Sequence, residues 1–363
     1  MINTNSKTPE VYFLPIEKVD DDSLVKLFNT AGFESLITKD ALVAIKVHFG
    51  ETGNNAYLKP KHVKPISDKI ASLGGKPFLT DANTLYKGTR GDAVSHIKTA
   101  MNHGYCFAPV IIADGLTGKD YQKIKVDLKY FKEVNIASAA RNADAIMVMT
   151  HFKGHEFTGF GGAIKNLGMG FGSRSGKQLM HSDVHPKVDG AKCTSCELCT
   201  KWCPTEAISM IDVTGDRSPV TGHKIACING EKCIGCAECI VTCSFGAISI
   251  EWSGTSTALQ EKMTEYALGA VKDKKCSYMN FITEVSPNCD CYGHNGPAVV
   301  KDIGVLASFD PVAIDQASVD LANKISGKDL FKVTWPNIDY NTQLEYAKKI
   351  GLGSRKYTLT PLL

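Results

Sequence analysis

Two cysteine-rich runs decide the architecture of this chain: Cys193-Thr-Ser-Cys196-Glu-Leu-Cys199-Thr-Lys-Trp-Cys203-Pro204 and Cys233-Ile-Gly-Cys236-Ala-Glu-Cys239-Ile-Val-Thr-Cys243. Each run has the spacing C-x2-C-x2-C-x3-C. Zinc sites instead use cysteine pairs separated by a longer spacer, without a third cysteine two residues on. Disulfide frameworks suit short secreted chains. The runs therefore indicate metal clusters held by thiolates.

The spacing of the two runs is that of bacterial ferredoxins with two cubane 4Fe–4S clusters. The first three cysteines of a run bind one cluster and the fourth binds the other, because a tight loop does not easily present four thiolates to one cube. The predicted ligands are Cys193, Cys196, Cys199 and Cys243 for one cluster, and Cys233, Cys236, Cys239 and Cys203 for the second. Cys227 falls outside both runs.

The repeat continues beyond the cysteines. Residues 203–210 align with residues 243–250, and each segment predicts a short helical turn followed by the start of a strand. Two differences from a minimal ferredoxin are the replacement of a Pro, present at Pro204, by Ser244 and a longer connector over residues 212–232. Neither difference removes a predicted ligand.

The charge of the chain is nearly balanced, with 41 Lys and Arg against 38 Asp and Glu in 363 residues. This balance gives no electrostatic reason to expect nucleic acid or a membrane as a partner. No run approaches the ~18 apolar residues of a membrane span, and residues 1–10 lack an apolar signal segment. Thirteen cysteines then fit metal binding in a reducing compartment. We therefore expect a cytoplasmic protein in an anaerobic or well-protected setting.

Strands and helices alternate on both sides of the cysteine runs. The predicted strands are residues 11–15, 41–47, 77–80, 110–113, 145–149, 278–282 and 300–308, and the predicted helices are 23–36, 60–73, 92–102, 258–274 and 342–350. Alternation of this kind predicts an α/β fold with a mostly parallel sheet. Residues 122–136 alternate in polarity and predict two strands or a small antiparallel addition.

The strand–helix units before and after the cysteine runs are interpreted as one α/β core. The predicted domains are 1–186 for the first part of this core, 187–254 for an inserted α+β ferredoxin-type domain with two clusters, and 255–363 for the second part of the core. In the second part, Asp310 and Pro311 suit the N-cap and the first position of a helix.

Polar residues follow four of the predicted strands: His48, Asp81, Asp114 and His151. Ligands bind at the carboxyl edge of open α/β sheets, so we expect these side chains to lie near a site. For Asp81 and Asp114 an ordinary role as turn formers is an equal alternative. The candidate catalytic residues in the loops after these strands are His48, Glu51, His151 and His155, since histidines and carboxylates serve as acids, bases or ligands.

A glycine-rich segment, residues 157–170, follows the fourth of these strands. Gly161 and Gly162 are candidate cofactor-binding residues, because glycine lets a backbone approach a ligand closely and exposes N–H groups to anions. Lys165 supplies a charge or a base, and Asn166 beside it is a candidate catalytic residue. The segment matches neither the Walker A order nor GxGxxG. The alternative is a flexible surface loop packed down by its apolar residues.

A second short motif, Cys289-Asp-Cys291, lies near His294. Two thiols and an imidazole offer soft ligands, so Cys289 and Cys291 can hold a metal, act as redox thiols or sit beside a cofactor. We predict them to be cofactor-binding residues. Two buried reduced cysteines are the alternative.

Five motifs are spread over the core: Lys46-Val-His48-Phe-Gly-Glu51, Thr150-His-Phe-Lys-Gly-His155, Gly162-Ala-Ile-Lys165-Asn166-Leu-Gly168, Cys289-Asp-Cys291-Tyr-Gly and Ser308-Phe-Asp310-Pro-Val-Ala-Ile-Asp315. Together they resemble the prokaryotic iron–sulfur center proteins over nearly the full length. The resemblance implies a core catalogued as a domain of unknown function, an inserted two-cluster ferredoxin domain and no settled substrate. A shorter similarity joins the histidine- and glycine-rich segment to nickel-dependent lactate racemase.

Three functions are compatible with these residues. The first is an oxidoreductase whose two 4Fe–4S clusters exchange electrons with a substrate, or with a further metal or flavin, in the α/β core. Its motivation is size, because a ferredoxin alone needs far fewer residues than the 363 present. The second is a ferredoxin-like electron carrier that docks on a redox partner protein. The third is an isomerase or cofactor-modifying enzyme with structural clusters.

Overall fold

The computed structural model describes residues 8–86, 88–181, 185–212, 224–233, 235, 237–249 and 255–362. The strands are β1 (Glu10–Pro15), β2 (Leu42–Lys46), β3 (Lys76–Asp81), β4 (Val110–Ile112), β5 (Tyr121–Lys125), β6 (Glu133–Ala137), β7 (Ala145–His151), β8 (Lys153–His155), β9 (Gly159–Gly161), β10 (Lys187–Val188), β11 (Ile208–Asp212), β12 (Lys224–Ile228), β13 (Ile248–Ser249), β14 (Lys275–Ile282), β15 (Gly304–Ser308) and β16 (Thr358–Pro361). The helices are α1 (Asp21–Thr30), α2 (Pro60–Ser72), α3 (Ala93–Asn102), α4 (Ser138–Asn142), α5 (Ala163–Phe171), α6 (Arg174–His181), α7 (Leu198–Trp202), α8 (Glu238–Thr242), α9 (Ser256–Val271), α10 (Pro311–Ser326), α11 (Leu330–Thr334) and α12 (Asn341–Lys349). None of the helices described is both long enough and apolar enough to cross a membrane.

One eight-stranded sheet organises the fold, in the order β16-β1-β15-β14-β7-β2-β3-β4. Neighbouring strands are parallel except at β15, which is antiparallel to both β1 and β14. The α/β class with a mostly parallel sheet is therefore confirmed. The predicted antiparallel addition is also present, because β5 and β6 pair antiparallel in a separate two-stranded sheet.

The sheet is buried on both faces, which explains the near-continuous apolar runs in its strands. Successive residues of β2 alternate between two cores: Val43 and Ile45 pack with α1 and α2, whereas Ala44 packs with α5 and α10. Burial of each large apolar side chain contributes roughly 1.5–3 kcal/mol. The core that contains Ala44 is the thicker of the two, since α9 packs across α5 and α12 packs across α9.

The cysteine-rich segment lies between β7 and β14, which are parallel neighbours in the large sheet. It contributes two small antiparallel pairs, β10 with β13 and β11 with β12. The two halves of the segment have matching hydrogen bonds. The N–H of Cys193 donates to the carbonyl of Asp189, and the N–H of Cys233 donates to that of Asn229, each at a distance of 3.1 Å. The predicted domain boundaries remain predictions.

Candidate functional site

A cavity of about 430 Å³ opens at the carboxyl ends of β2, β3 and β7. Of the predicted catalytic residues, His48, His151, His155, Lys165 and Asn166 line it; of the predicted cofactor-binding residues, Gly162, Cys289 and Cys291 do. Asp81 also lines the cavity. Glu51, Gly161, Asp114 and His294 do not belong to its lining. Segments far apart in the sequence therefore meet at one place.

His48 and Cys291 form a pair across the cavity wall, with Nε2 of His48 3.4 Å from Sγ of Cys291. The Nδ1 of His48 accepts a hydrogen bond from the N–H of Gly50 at 3.1 Å. The guanidinium of Arg90 also faces Nε2, with its Nη1 3.1 Å away. Burial and the neighbouring Arg90 guanidinium lower the pKa of His48, so the ring is neutral.

Cys289 lies on the same turn as Cys291, and the two thiol groups hydrogen-bond each other. The Nζ of Lys165 donates to Sγ of Cys289 at 3.3 Å. The bond from Cys289, followed by His48 and Lys165, lowers the pKa of Cys291 well below its usual value, while the same bond and burial raise that of Cys289. Burial opposes charge on Lys165, but the two sulfurs outweigh it and raise its pKa. The arrangement is a thiolate at Cys291 beside a thiol at Cys289.

Asp290, between the two cysteines, fixes this turn. Its fully buried carboxylate accepts from Nδ1 of His151 at 2.9 Å and pairs with Nζ of Lys153 at 3.0 Å. Its carbonyl accepts from the N–H of Glu51 at 3.0 Å. The other nitrogen of His151 faces the carbonyl of Thr283 at 2.9 Å. Both nitrogens of His151 are thus engaged in positioning the turn.

Arg90 is a central residue that the sequence did not single out. Its fully buried guanidinium lies 3.2 Å from Glu51, donates to the hydroxyl of Tyr86 at 2.6 Å and lies 3.5 Å from Asp81. The hydroxyl of Tyr86 in turn donates to the carbonyl of Cys291 at 3.2 Å. Glu51, which was predicted to be catalytic, therefore does not line the cavity. It lies behind the wall and holds Arg90, which does line the cavity.

A buried ion pair orients Asn166. The Nζ of Lys46, on β2, lies 2.9 Å from Oδ1 of Asp81 and donates to Oδ1 of Asn166 at 2.7 Å. The Nδ2 of Asn166 donates to the carbonyl of Met149 at 3.1 Å and to the hydroxyl of Thr150 at 3.0 Å. Burial opposes the charge of Asp81, but Lys46, Arg90 and the other groups around it together keep the pKa of Asp81 below its usual value.

The glycine-rich segment is not a surface loop: it forms strand β9 and most of helix α5, both packed inside the protein. The first N–H groups of α5, those of Ala163 and Ile164, donate to the carboxylate of Asp315 at 2.7 and 2.9 Å. These groups are therefore engaged by Asp315, which replaces a side-chain cap that Gly162 lacks. A Cβ on Gly168 would lie 2.2 Å from the carbonyl oxygen of Met263, so the glycine permits the close contact between α5 and α9.

His155 is neutral in the cavity. Its Nδ1 accepts from the N–H groups of Phe157 and Thr158, both at 3.2 Å, so its ring proton is on Nε2. Burial and the charge of Lys165 lower its pKa well below the usual value. The lining thus combines the neutral His48 and His155 with the cations Arg90, Lys153, Lys165 and Lys177 and the carboxylates Asp81 and Glu156.

Helix α6, which the sequence did not predict, forms a wall shared by the cavity and the cysteine-rich segment. Lys177 and His181 line the cavity. On the other side, the Cβ position of Gly235 in the second cysteine run lies 3.6 Å from both Gln178 and Leu179. Hydropathy gave no signal for α6, because several of its buried residues are polar or charged.

Two further contacts join the second run to the core. The buried carboxylate of Glu238 lies 3.9 Å from the buried guanidinium of Arg174 and 3.4 Å from Nζ of Lys119. Leu85 shares an apolar cluster with Cys239, and its neighbours Thr84 and Tyr86 line the cavity. The second cysteine run is therefore packed beside the cavity.

Four cysteines from the two runs converge: Cys193, Cys196, Cys199 and Cys243 line one small cavity. The fourth cysteines are alike, since Sγ of Cys203 accepts from the N–H of Ala207 and Sγ of Cys243 from that of Ala247, both at 3.2 Å. Cys236 lies outside the described residues. In the part of the chain that the structure describes, no three His, Cys, Asp or Glu side chains are placed to hold a single metal ion.

The fold and the site define an α/β protein with a thiol-containing cationic cavity beside a cysteine-rich segment. Residues 43–320 match the family described as "Domain of unknown function (DUF362)". The chain belongs to this family.

The chain is also similar to "Putative oxidoreductase AegA" of Escherichia coli (strain K12), at 32% identity over 137 residues. The match covers 34% of this chain and only 16% of that protein. Two solved structures are distantly similar. The lactate racemase apoprotein from Thermoanaerobacterium thermosaccharolyticum has a TM-score of 0.38 and 12% identity, with 76% of this chain and 50% of that chain covered. A Thermotoga maritima protein has a TM-score of 0.45 and 9% identity, with 87% and 60% covered. At these scores neither structure bears on function.

Proposed function

We propose that this protein is an iron–sulfur oxidoreductase in which two 4Fe–4S clusters exchange electrons with a substrate or second cofactor held in the cavity. The observation that carries the proposal is the double role of α6. Its Gln178 and Leu179 pack against Gly235 of the second cysteine run, while its Lys177 and His181 line the cavity. The proposed electron carrier and the cavity are thus separated by one helix.

The cysteine loops fit clusters of this kind. Matching positions have positive φ: Ser195 and Gly235 at 58° and 65°, and Glu197 and Ala237 both at 58°. A side chain pays a cost of roughly 1–2 kcal/mol for this conformation, so its repetition suggests that the loops are shaped for a ligand. In a cubane cluster each thiolate binds a different iron, so the four sulfurs do not have to meet at one point. Four cysteines spread around a small cavity therefore suit a cluster better than a single metal ion.

The proposed ligands are the eight cysteines of the two runs, as predicted from their spacing. A bound 4Fe–4S cluster accepts and delivers single electrons, and hydrogen bonds to the sulfurs tune its potential. The backbone N–H groups of Ala207 and Ala247 supply such bonds to Cys203 and Cys243.

Gln178 gives a further reason to place a ligand at the second run. Its side chain is 2% exposed, and among the described residues neither its amide nitrogen nor its amide oxygen has a hydrogen-bond partner. A buried amide without partners costs about 1–3 kcal/mol. Its Cγ lies 3.6 Å from the Cβ position of Gly235. A sulfur-rich ligand at the second run would offer the amide N–H an acceptor.

The cavity residues supply the remaining parts of an oxidoreductase site. Lys165 and Lys177 favour anionic groups on a substrate, the neutral His48 and His155 hold protons, and Cys291 offers a thiolate. The oxidoreductase name of the Escherichia coli relative agrees with this reaction class. A third function, an isomerase with structural clusters, has no observation in its favour.

Anaerobic reconstitution with iron and sulfide tests the proposal. We expect about eight irons per chain, reducible by dithionite with the spectra of 4Fe–4S clusters. Cys239→Ser should lose iron from the second run. Cys227→Ser is the matched control, since Cys227 is an exposed thiol on β12 outside both runs. Wild-type protein that stays free of iron, or whose clusters cannot be reduced, would refute the proposal.

A second candidate function, an electron carrier that docks on a protein, is favoured by exposed apolar residues near the first run. Leu198 and Phe245 line the cavity of its cysteines, and both are exposed, as is Trp202. A stoichiometric redox partner recovered from an anaerobic lysate, with no small molecule reduced or oxidised by the loaded protein, would favour this carrier.

A further inference from the structure

The turn that carries Cys289 and Cys291 has the geometry of a reactive dithiol. The N–H of Tyr292 donates to the carbonyl of Cys289 at 3.2 Å, which closes a turn containing both cysteines. The two side chains point to the same side of the turn, because both line the cavity. Two cysteines that share a tight turn and face one cavity are placed to form a disulfide.

Each sulfur has its own partner. Sγ of Cys291 lies 3.4 Å from Nε2 of His48, and Sγ of Cys289 accepts from Nζ of Lys165 at 3.3 Å. The Nδ1 of His48 is engaged by the N–H of Gly50, and the guanidinium of Arg90 lies 3.1 Å from Nε2, so a cation stands beside the one ring nitrogen that could bind a metal. This arrangement favours a thiolate at Cys291 over a metal site shared with His48.

We propose that Cys289 and Cys291 form a redox-active dithiol, with Cys291 as the attacking thiolate and Cys289 as the resolving thiol, that reduces a small anionic disulfide in the cavity. Cys291 attacks one substrate sulfur, forming a mixed disulfide and releasing the other substrate half as a thiolate. Cys289 then attacks Cys291, which releases the second half and leaves a Cys289–Cys291 disulfide. The proton of Cys289 leaves on a released thiolate, so atoms and charges balance.

Return to the dithiol requires two electrons and one proton, which break the Cys289–Cys291 bond to give one thiol and one thiolate. The supply of these electrons, one at a time from the two clusters, rests on the function proposed above. The substrate class follows from the site. The cavity of about 430 Å³ admits a small molecule. Of the cations in its lining, Arg90 and Lys153 are paired with Glu51 and Asp290, whereas Lys165 and Lys177 form no ion pair with a carboxylate among the described residues. A disulfide with carboxylates therefore fits better than one with amines.

Redox equilibration tests the pair without depending on the clusters. The full-length protein is held anaerobically in thiol–disulfide buffers of graded potential and then quenched in acid, unfolded and alkylated. Mass spectrometry of the peptide that contains both cysteines counts the alkylated thiols. We expect a reversible loss of two alkylation sites as one two-electron step. Cys289→Ala and Cys291→Ala should abolish it, and Cys227→Ala should not. A peptide that keeps both alkylation sites at every potential would overturn the proposal.

Attack by Cys291 is tested with 3,3′-dithiodipropionate as the anionic disulfide and cystamine as its cationic counterpart. The reduced protein should react faster with the anionic probe. His48→Gln should slow this reaction about tenfold, through loss of the bond to the thiolate. Equal rates for both probes would overturn the substrate class. Stoichiometric metal that disappears in Cys291→Ala would show a metal site and overturn the dithiol, whereas failure of cluster reconstitution would leave the dithiol results intact.

Discussion

A Cβ atom on Gly162 would lie 2.2 Å from Oδ1 of Asp315. The glycine is therefore required by the carboxylate that binds the first turn of α5, and not by a ligand. Asp315 comes from α10, 153 positions further along the chain by number, and accepts from the N–H groups of Ala163 and Ile164. The helix that carries Lys165 and Asn166 into the cavity is held at its start by this one side chain.

Removal of that carboxylate should loosen the site. Asp315→Ala leaves two buried N–H groups without their acceptor, and each such loss costs about 1–3 kcal/mol. We expect the free energy of unfolding in urea to fall by roughly 2–5 kcal/mol. Asp320→Ala, on the exposed face of the same helix, should change it by about 0.5 kcal/mol or less. Equal effects of the two substitutions would contradict the assigned role of Asp315.

Gln178 should affect the iron-free and iron-loaded protein in opposite directions. Without a ligand at the second run, Gln178→Leu removes two buried polar atoms that lack partners among the described residues. The iron-free variant should therefore be more stable by about 1–3 kcal/mol. In the loaded protein the same substitution removes a donor to sulfur, which should lower a cluster potential. Urea unfolding and a dithionite titration measure the two effects. An unchanged potential would place the amide away from the cluster.

Asp114 should make stability depend on pH. Burial raises its pKa to about 6, from 3.8 in the unfolded chain. Between pH 4 and pH 6 the folded protein holds a proton that the unfolded chain has lost, so the stability from this group is present in acid and disappears as pH rises through about 6. The change is of the order of ~2–3 kcal/mol. Asp114→Asn should flatten this part of the profile, as measured by urea unfolding at several pH values. A profile as steep as that of the wild type would show that Asp114 titrates normally.

The Arg90 guanidinium should control the protonation of His48. It lies 3.1 Å from Nε2 of His48, and after burial it is the main cause of the lowered pKa of that ring. Arg90→Met should therefore move the titration of His48 to higher pH, as followed by NMR of labelled histidine. Arg355→Met is the control, because Arg355 contacts Gln316 instead. A titration of His48 that stays in place would mean that burial alone keeps the ring neutral.

Some of these features could be predicted from sequence because their signals are local. Apolar runs marked β2 and β7, and the carboxylate of Asp310 does cap α10, accepting from the N–H groups of Val312 and Ala313. The histidines after β2 and β7 do meet at one sheet edge, since parallel neighbours bring their carboxyl ends together. Cysteine spacing likewise shows a repeat without knowledge of the fold.

Other features have no local signal. Helix α6 buries Arg174 and Gln178, so its pattern of polarity hides a buried helix. Gly168 and Gly170 lower the helix propensity of α5. The helix forms nevertheless, because Gly168 allows the close approach of α9 and Gly170 leaves room for Lys46. Arg90 contacts His48 and Glu51 in the loop after β2 and Asp81 at the end of β3, and no short window of sequence contains all of them. Tertiary contacts decided each of these cases.

Helix α6 has a consequence for how electrons would enter the cavity. Because one rigid element touches both the cavity and the second cysteine run, a cavity ligand that shifts α6 also shifts the surroundings of that run. Thermodynamic reciprocity then requires that the redox state of the run alter the affinity for the ligand by the same free energy. Under the proposed function, occupancy and reduction are one coupled equilibrium, so the protein can withhold electrons until its cavity is filled.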